Sequence, residues 1–298
     1  MDNMTININF FRNNQKGRID YQELFDYFMQ LPDFEIQYDD SEVNIIYTDN
    51  EFGFKYMYKI TRVSQVREIY RLDPAYLNIN FMLCLPILIP SFAAKEILQH
   101  AQKISKLFDL QVYHSSFKDV KLFNMADLYS LFADTQREYL EENTPEGKVF
   151  YDSNKLNTIC KYQRNLENFN EQFHYDIAVN SCTPIIDHHN NEFGICTTWN
   201  VGIGSLFVPY FDFVLIKEES GDSFYIRRGD FMRFMEKYLS KVDNSFPDLY
   251  FIKPKAAKSS KSLVSKLRKY AITDQEFVVL PICDLLDKYW LMEIKYEN

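Results

Sequence analysis

The chain has 298 residues, of which 46% are hydrophobic and 25% are charged. These proportions are typical of a globular protein and exclude a disordered one. The formal net charge of −9 argues against a protein that coats nucleic acid with its whole surface. No stretch approaches the roughly 20 apolar residues that a membrane-spanning helix needs, so no membrane span is predicted.

Two further residue counts narrow the class of protein. Five cysteines, an odd number at irregular spacing, fit reduced thiols in a cytoplasmic protein. The chain holds 26 phenylalanines and 21 tyrosines but only 8 glycines. A core packed through large rings is therefore favoured over a glycine-rich cofactor fold. The reduced thiols lead us to expect a cytoplasmic location.

The first half of the chain alternates strand and helix patterns. Apolar residues recur at every second position in the predicted strands and at three- and four-residue steps in the predicted helices. The predicted elements are a strand at 5–10, a helix at 19–31, strands at 34–38, 43–47, 54–60 and 77–85, a helix at 91–108 and a strand at 110–114. This order predicts an α+β fold with a mixed or antiparallel sheet and helices on one face, in a ferredoxin-like element order.

A second α+β domain is predicted after a helix at 124–142. The segment 141–147 is rich in charge and contains proline and glycine, which favours a domain boundary. We therefore predict one domain at 1–142 and another at 143–298. The predicted elements of the second domain are a helix at 153–169, strands at 175–186 and 193–203, a hairpin at 210–217 and 223–227, a helix at 231–242, a strand at 249–252, a basic helix at 259–270 and strands near 277 and 290–296.

One cluster has the residue types of a zinc site. Asp187, His188 and His189 lie between two predicted strands, with Cys182 and Cys196 on either side. Carboxylate, imidazole and thiolate are all zinc ligands, and a hairpin would gather them. The alternative is a polar hairpin tip that faces solvent, since adjacent histidines on a strand point to opposite faces and the cysteine spacing matches no zinc ribbon.

A basic run in this acidic chain is the second candidate site. It holds seven cations with no acidic residue between them, namely Lys253, Lys255, Lys258, Lys261, Lys266, Arg268 and Lys269. Such a run predicts contact with a nucleic acid, an acidic lipid surface or an acidic protein. The alternative is a loop and a helix whose charged side chains only meet water.

A magnesium-dependent nuclease is a third hypothesis for the second half. Pro247-Asp248 and the later Glu293-Ile294-Lys295 supply two carboxylates for a metal and a lysine for the attacking water. The gap between them is long and contains the basic run. Glu293 and Lys295 are more simply the outward residues of a final strand.

The sequence favours a non-enzymatic cytosolic protein that binds other proteins, as an adaptor, inhibitor or assembly component. The abundant aromatic residues are good interface anchors, and no catalytic constellation stands out. The alternatives are a metal-dependent or phosphate-handling enzyme, including a nuclease, in the second half, or a nucleic-acid binder that uses the basic run. No cofactor is predicted under the first hypothesis, whereas a metal-dependent enzyme would use zinc or magnesium.

Overall fold

The structure is a computed structural model that describes residues 4–242, 246–273 and 276–288. Backbone contacts divide the chain between Lys148 and Val149 into two compact units, a few residues beyond the boundary predicted after residue 142. Antiparallel strand pairs and helices occur in both units, and the second unit adds parallel pairs, which together confirm the predicted α+β class. Within the described ranges, no helix combines the length and apolarity that crossing a bilayer requires.

The first unit follows the element order predicted from its sequence. Its elements are β1 (Thr5–Asn13), α1 (Tyr21–Met29), β2 (Phe34–Tyr38), β3 (Glu42–Asp49), β4 (Phe54–Thr61), β5 (Tyr76–Pro86), α2 (Ser91–Leu107), β6 (Leu110–Tyr113) and α3 (Met125–Glu142). The strands form one six-stranded sheet in the order β2-β3-β4-β5-β1-β6. Every neighbouring pair is antiparallel.

β1 lies inside the sheet, between β5 and β6. Both neighbours run antiparallel to β1, so β5 and β6 run parallel to each other and α2 connects them. This arrangement is the split β-α-β unit of ferredoxin-like folds.

One face of the sheet is buried under α1 and α2 by a layer of aromatic rings. Phe10, Tyr58 and Phe81 come from three different strands, and neighbouring ring centroids lie 5.0 and 5.4 Å apart. Phe28 of α1 contacts Tyr58 at 5.2 Å. All four side chains are fully buried. Offset and tilted ring contacts of this kind stabilise a core beyond the area that they bury.

The opposite face of the sheet is covered only in part. Phe11, Val66, Tyr113 and Val120 form a separate apolar cluster there, beside β1 and β6. The same face near β2 stays accessible to solvent, because side chains such as Glu35 remain exposed. The sheet is therefore buried on one side and partly open on the other.

α3 fixes the turn that connects β5 to α2. The side-chain amide of Gln136 is fully buried and donates hydrogen bonds to the carbonyl oxygens of Ile87 and Ile89, at 2.6 and 3.0 Å. These carbonyls belong to a turn that contains Pro86 and Pro90. Because proline has no backbone N–H, the turn has few donors of its own to bond to its carbonyl groups. A single side chain thus holds the apolar turn in place.

The described residues of the second unit form three small sheets. Its elements are β7 (Val149–Tyr151), α4 (Ser153–Gln163), α5 (Leu166–Gln172), β8 (Ala178–Val179), β9 (Thr183–Asp187), β10 (Phe193–Asn200), β11 (Ser205–Leu206), β12 (Phe213–Lys217), β13 (Ser223–Arg227), α6 (Arg228–Met235), β14 (Leu239–Lys241), β15 (Tyr250–Ile252), α7 (Pro254–Ser260), α8 (Val264–Leu267), β16 (Phe277–Val279) and β17 (Leu285–Asp287). The sheet orders are β13-β12-β10-β9-β16, β14-β15-β11-β8 and β17-β7. Trp199, Phe207 and Phe231 are fully buried in its main core.

Several predicted elements of this unit are wrong in extent. The helix predicted at 153–169 ends at Gln163 and restarts at Leu166, and the Asn165 side chain donates to the carbonyl of Lys161 at the break. The strand predicted at 175–186 is confined to β8 and β9. Between them, the Asn180 backbone carbonyl accepts a hydrogen bond from a tyrosine hydroxyl instead of a strand neighbour. Tertiary contacts thus override local propensity. The strand predicted at 290–296 lies outside the described residues.

His100 of α2 adds a polar cluster to the aromatic layer of the first unit. The hydroxyl of Tyr27 lies 3.2 Å from Nε2, and those of Tyr58 and Tyr56 lie 2.9 and 3.2 Å from Nδ1. Burial, together with the nearby charge of Lys103, lowers the pKa of His100 to about 4. The imidazole is therefore neutral at pH 7 and accepts or donates only neutral hydrogen bonds.

We expect the free energy of unfolding of the first unit to decrease as the pH falls from about 6.5 to about 4, because of His100. In this range the unfolded chain binds a proton at His100 and the folded chain does not, so protons favour unfolding. The loss is roughly 2 to 3 kcal/mol at about 1.4 kcal/mol per pKa unit. Urea unfolding followed by far-ultraviolet circular dichroism measures the loss. Tryptophan emission follows the second half of the sequence separately, because both tryptophans, Trp199 and Trp290, belong to it.

The variant His100→Phe provides the control. Its unfolding free energy at pH 7 is expected to drop, because three tyrosine hydroxyls lose their partner. Its remaining stability should depend less on pH between about 6.5 and 4 than that of the wild type. An equally steep pH dependence in the variant would contradict the assignment to His100.

Candidate functional site

The residues predicted as zinc ligands have structural roles of a different kind. Asp187 is fully buried at the end of β9, and its Oδ1 accepts hydrogen bonds from the backbone amides of His189 and Glu276, each at 3.1 Å. The residues from His188 to Asn191 form the tip of the β9-β10 hairpin, and both histidines are exposed. The carboxylate thus caps the turn that the histidines occupy.

The two cysteines of the predicted cluster are core residues. Cys182 and Cys196 are both buried, and neither forms a disulfide. Burial raises the pKa of Cys196 to about 12 and that of Cys182 further, so both are thiols at neutral pH. Among the described residues, no group of three or more histidine, cysteine, aspartate or glutamate side chains has a metal-binding arrangement. The structure therefore does not bring these five residues together as one set of ligands.

We expect neither zinc nor a chelator to change the melting temperature of the protein. A metal that bound the native state alone would raise it by mass action. Differential scanning fluorimetry with EDTA, and separately with stoichiometric zinc, measures the effect. The double variant His188→Ala, His189→Ala is the control, and a zinc-dependent rise that this variant abolishes would restore the metal hypothesis.

The basic run is a series of short helical pieces instead of the single helix predicted at 259–270. α7 and α8 are joined by 3-10 turns, and Ala257, Val264 and Leu267 pack into the core of the second unit. Lysines are spread along the other side. The run is thus an amphipathic segment at the surface of the second unit.

Two of its seven cations are neutralised by the β12-β13 hairpin. Lys261 forms an ion pair with Glu219, and Arg268 forms ion pairs with Glu218 and Asp222. The other five cations are exposed, and the described residues offer them no ion pair; they are Lys253, Lys255, Lys258, Lys266 and Lys269. The positive surface is therefore smaller than the sequence suggests.

The described part of the nuclease pattern is occupied by an ion pair. Both carboxylate oxygens of Asp248 accept hydrogen bonds from Arg228, at 2.6 and 2.7 Å. The guanidinium of Arg228 also lies 4.9 Å from the ring centroid of Phe211. Glu293 and Lys295 lie outside the described residues. Asp248 thus acts in the structure as the partner of a half-buried arginine.

An acidic surface that the sequence analysis overlooked lies at one edge of the first unit. Residues 19–54 contain ten acidic residues and no lysine, arginine or histidine. We use the name acidic edge for the seven of these carboxylates that are exposed on α1 and around β2 and that make no ion pair within the described ranges. They are Asp20, Glu23, Asp26, Asp33, Glu35, Asp39 and Asp40.

β2 is the outermost strand at this edge, and two backbone hydrogen bonds next to its ends show which of its residues bond to β3. The backbone N–H of Asp39 donates to the carbonyl oxygen of Glu42 at 2.9 Å, and the backbone N–H of Thr48 donates to the carbonyl oxygen of Asp33 at 3.2 Å. Because bonding alternates along an antiparallel pair, residues 33, 35, 37 and 39 bond to β3. The N–H and C=O groups of Ile36 and Tyr38 therefore point away from the sheet, where no strand of the described chain pairs with them.

Side chains on the two faces of β2 differ in character. Phe34, Ile36 and Tyr38 share the face that packs on the helices, where Tyr38 contacts the ring of Phe25 in α1. Tyr38 is nevertheless 70% exposed, and Met29 at the end of α1 is 61% exposed. The edge therefore combines negative charge, free backbone groups and accessible apolar side chains.

A shallow concavity of about 180 Å³ lies on the open face beside this strand. Its lining includes Glu35 and Gln37 of β2, Ile46 of β3, and Lys55 and Met57 of β4. Pockets for small-molecule ligands are larger, at about 300 to 1,000 Å³. The concavity is therefore smaller than the pockets that usually hold small-molecule ligands.

Comparison with known proteins adds no identity to this geometry, because no family model, no curated protein and no solved structure matches the chain. A scan for runs of like charge would have found the acidic stretch in the sequence. The seven carboxylates are distributed over a helix, a strand and a turn, so their common location becomes visible only in the folded unit.

Proposed function

We propose that the chain is a non-enzymatic protein that binds other proteins, as an adaptor, inhibitor or assembly component, and that it docks a basic partner on the acidic edge. The observation that carries this proposal is the group of seven exposed carboxylates around an outermost strand. Such a group attracts a positively charged surface and repels an acidic one, which gives both a fast encounter and selectivity.

The apolar part of the edge supports the same function. Protein interfaces combine aromatic and methionine anchors with a polar rim. Tyr38 and Met29 supply exposed anchors of both kinds, and the carboxylates of Asp26, Asp33 and Asp39 lie nearby in the sequence. A cytoplasmic location belongs to this proposal, because buried thiols such as Cys182 and Cys196 suit a reducing compartment.

We expect charge reversal at the acidic edge to abolish partner binding. The variant Asp33→Lys, Glu35→Lys, Asp40→Lys removes three carboxylates that form no ion pair in the described structure. The purified full chain is used as bait in its host lysate, and the captured proteins are quantified by mass spectrometry. Partners with basic surfaces should be depleted at least tenfold, and their capture by the wild type should weaken with added salt.

The matched control reverses three exposed carboxylates on α3, as Glu138→Lys, Glu141→Lys, Glu142→Lys. It changes the net charge by the same amount but leaves the acidic edge intact. Its capture profile should equal that of the wild type. If both triple variants retained the same partners, the acidic edge would not be the docking surface.

The five exposed lysines of the basic run to which the described residues offer no ion pair favour a second candidate function, which is binding to a nucleic acid. We expect Lys255→Glu, Lys258→Glu, Lys266→Glu to lose any affinity of the wild type for single-stranded RNA or DNA. Fluorescence anisotropy across a salt series measures this affinity, which falls steeply with salt when phosphates are neutralised.

A control for the nucleic-acid experiment is Lys103→Glu, Lys106→Glu, Lys118→Glu in the first unit, where all three lysines are exposed. This variant has the same net charge as the other. Equal loss of affinity in both variants would show a general effect of charge, and equal affinity in all three proteins would rule out the basic run as the binding surface.

A further inference from the structure

We propose that the partner binds by strand addition, an inference that rests on the proposed function. A basic extended segment of the partner lies antiparallel to β2 and continues the six-stranded sheet. The segment alternates lysine or arginine with apolar residues. The free groups of Ile36 and Tyr38 carry the proposal, since they are the donors and acceptors that an added strand uses.

The backbone register decides which residues of the partner would bond. Ile36 and Tyr38 each present an N–H and a C=O to the outside, whereas the N–H of Phe34 already donates to Leu31 at 3.3 Å. An antiparallel strand would exchange two hydrogen bonds with each of the two free residues. Gln37, which lies between them, bonds to β3 and would gain none.

The two faces of β2 decide the pattern of partner side chains. Residues opposite Ile36 and Tyr38 share their face and would pack beside exposed aromatic and apolar groups. Residues in between would point to the open face, where Asp33, Glu35 and Asp39 lie in one row with Gln37. Basic side chains complement that row, and apolar side chains complement the other face.

The same row of carboxylates selects against a second copy of this chain. Two β2 edges placed side by side would bring like charges opposite each other, which is a common way in which outermost strands avoid pairing with themselves. A basic segment meets no such repulsion. Charge thus decides which strand is accepted at an edge that is otherwise open to any extended chain.

The test uses the ¹⁵N-labelled full chain and a synthetic eight-residue peptide that alternates lysine and valine. We expect the exchange of the Ile36 and Tyr38 amides with deuterium to slow at least tenfold when the peptide saturates the protein. The Gln37 amide is the internal control and should not change. A peptide that alternates glutamate and valine, and the Asp33→Lys, Glu35→Lys, Asp40→Lys variant, should each show at least tenfold weaker binding.

Two methylated peptides separate strand addition from simple charge attraction. Valine amides would face β2 and lysine amides would face away, so N-methylation of the valines should weaken binding at least tenfold and N-methylation of the lysines should not. If the valine-methylated peptide bound as well as the parent and both amides stayed in fast exchange, strand addition would be overturned while the acidic edge remained the docking surface. If the lysine-valine peptide failed to bind, both proposals would fall.

Discussion

The burial of a single face of the six-stranded sheet is the constraint on which the first unit depends. Rings from β1, β4, β5 and α1 fill that face, and Phe34 of β2 joins them through contacts with Phe28 and Tyr47 at 5.0 Å each. A one-residue shift of β2 would expel Phe34 from this layer and bury Glu35 instead. The aromatic core therefore fixes which backbone groups of β2 face outward, and the partly open face follows from the same one-sided burial.

The fold of the first unit could be predicted from its sequence because local signals agree with tertiary packing. The strand at 34–38 and the helix beginning at Ser91 match the structure, since apolar periodicity and a preceding proline mark them clearly. In the second unit, short elements weaken that agreement. The break at Asn165 depends on one side chain that bonds to a carbonyl within its own helix, and no hydrophobic pattern reveals it.

The candidate site was harder to predict than the fold, because it depends on pairings between distant residues. Arg268 of the basic run forms an ion pair with Glu218, and Asp248 forms one with Arg228. In neither pair are the two residues close in the sequence. β2 can accept another strand only because it is the last strand in the order of the sheet. The spacing of apolar residues in the sequence does not predict that order. Composition indicated an acidic protein. Only the order of the described strands shows that the carboxylates of the acidic edge lie beside the outward-facing N–H and C=O groups of β2.

The internal position of β1 has a consequence for folding during synthesis. β1 pairs with β5 through Thr5 and Pro86 and with β6 through Arg12 and Leu110, so both of its neighbours are translated long after it. The ribosome therefore releases a hydrophobic strand that has no partner until most of the unit has been made. Pairing between residues so far apart in the sequence slows folding, because a long loop must close before the contacts form.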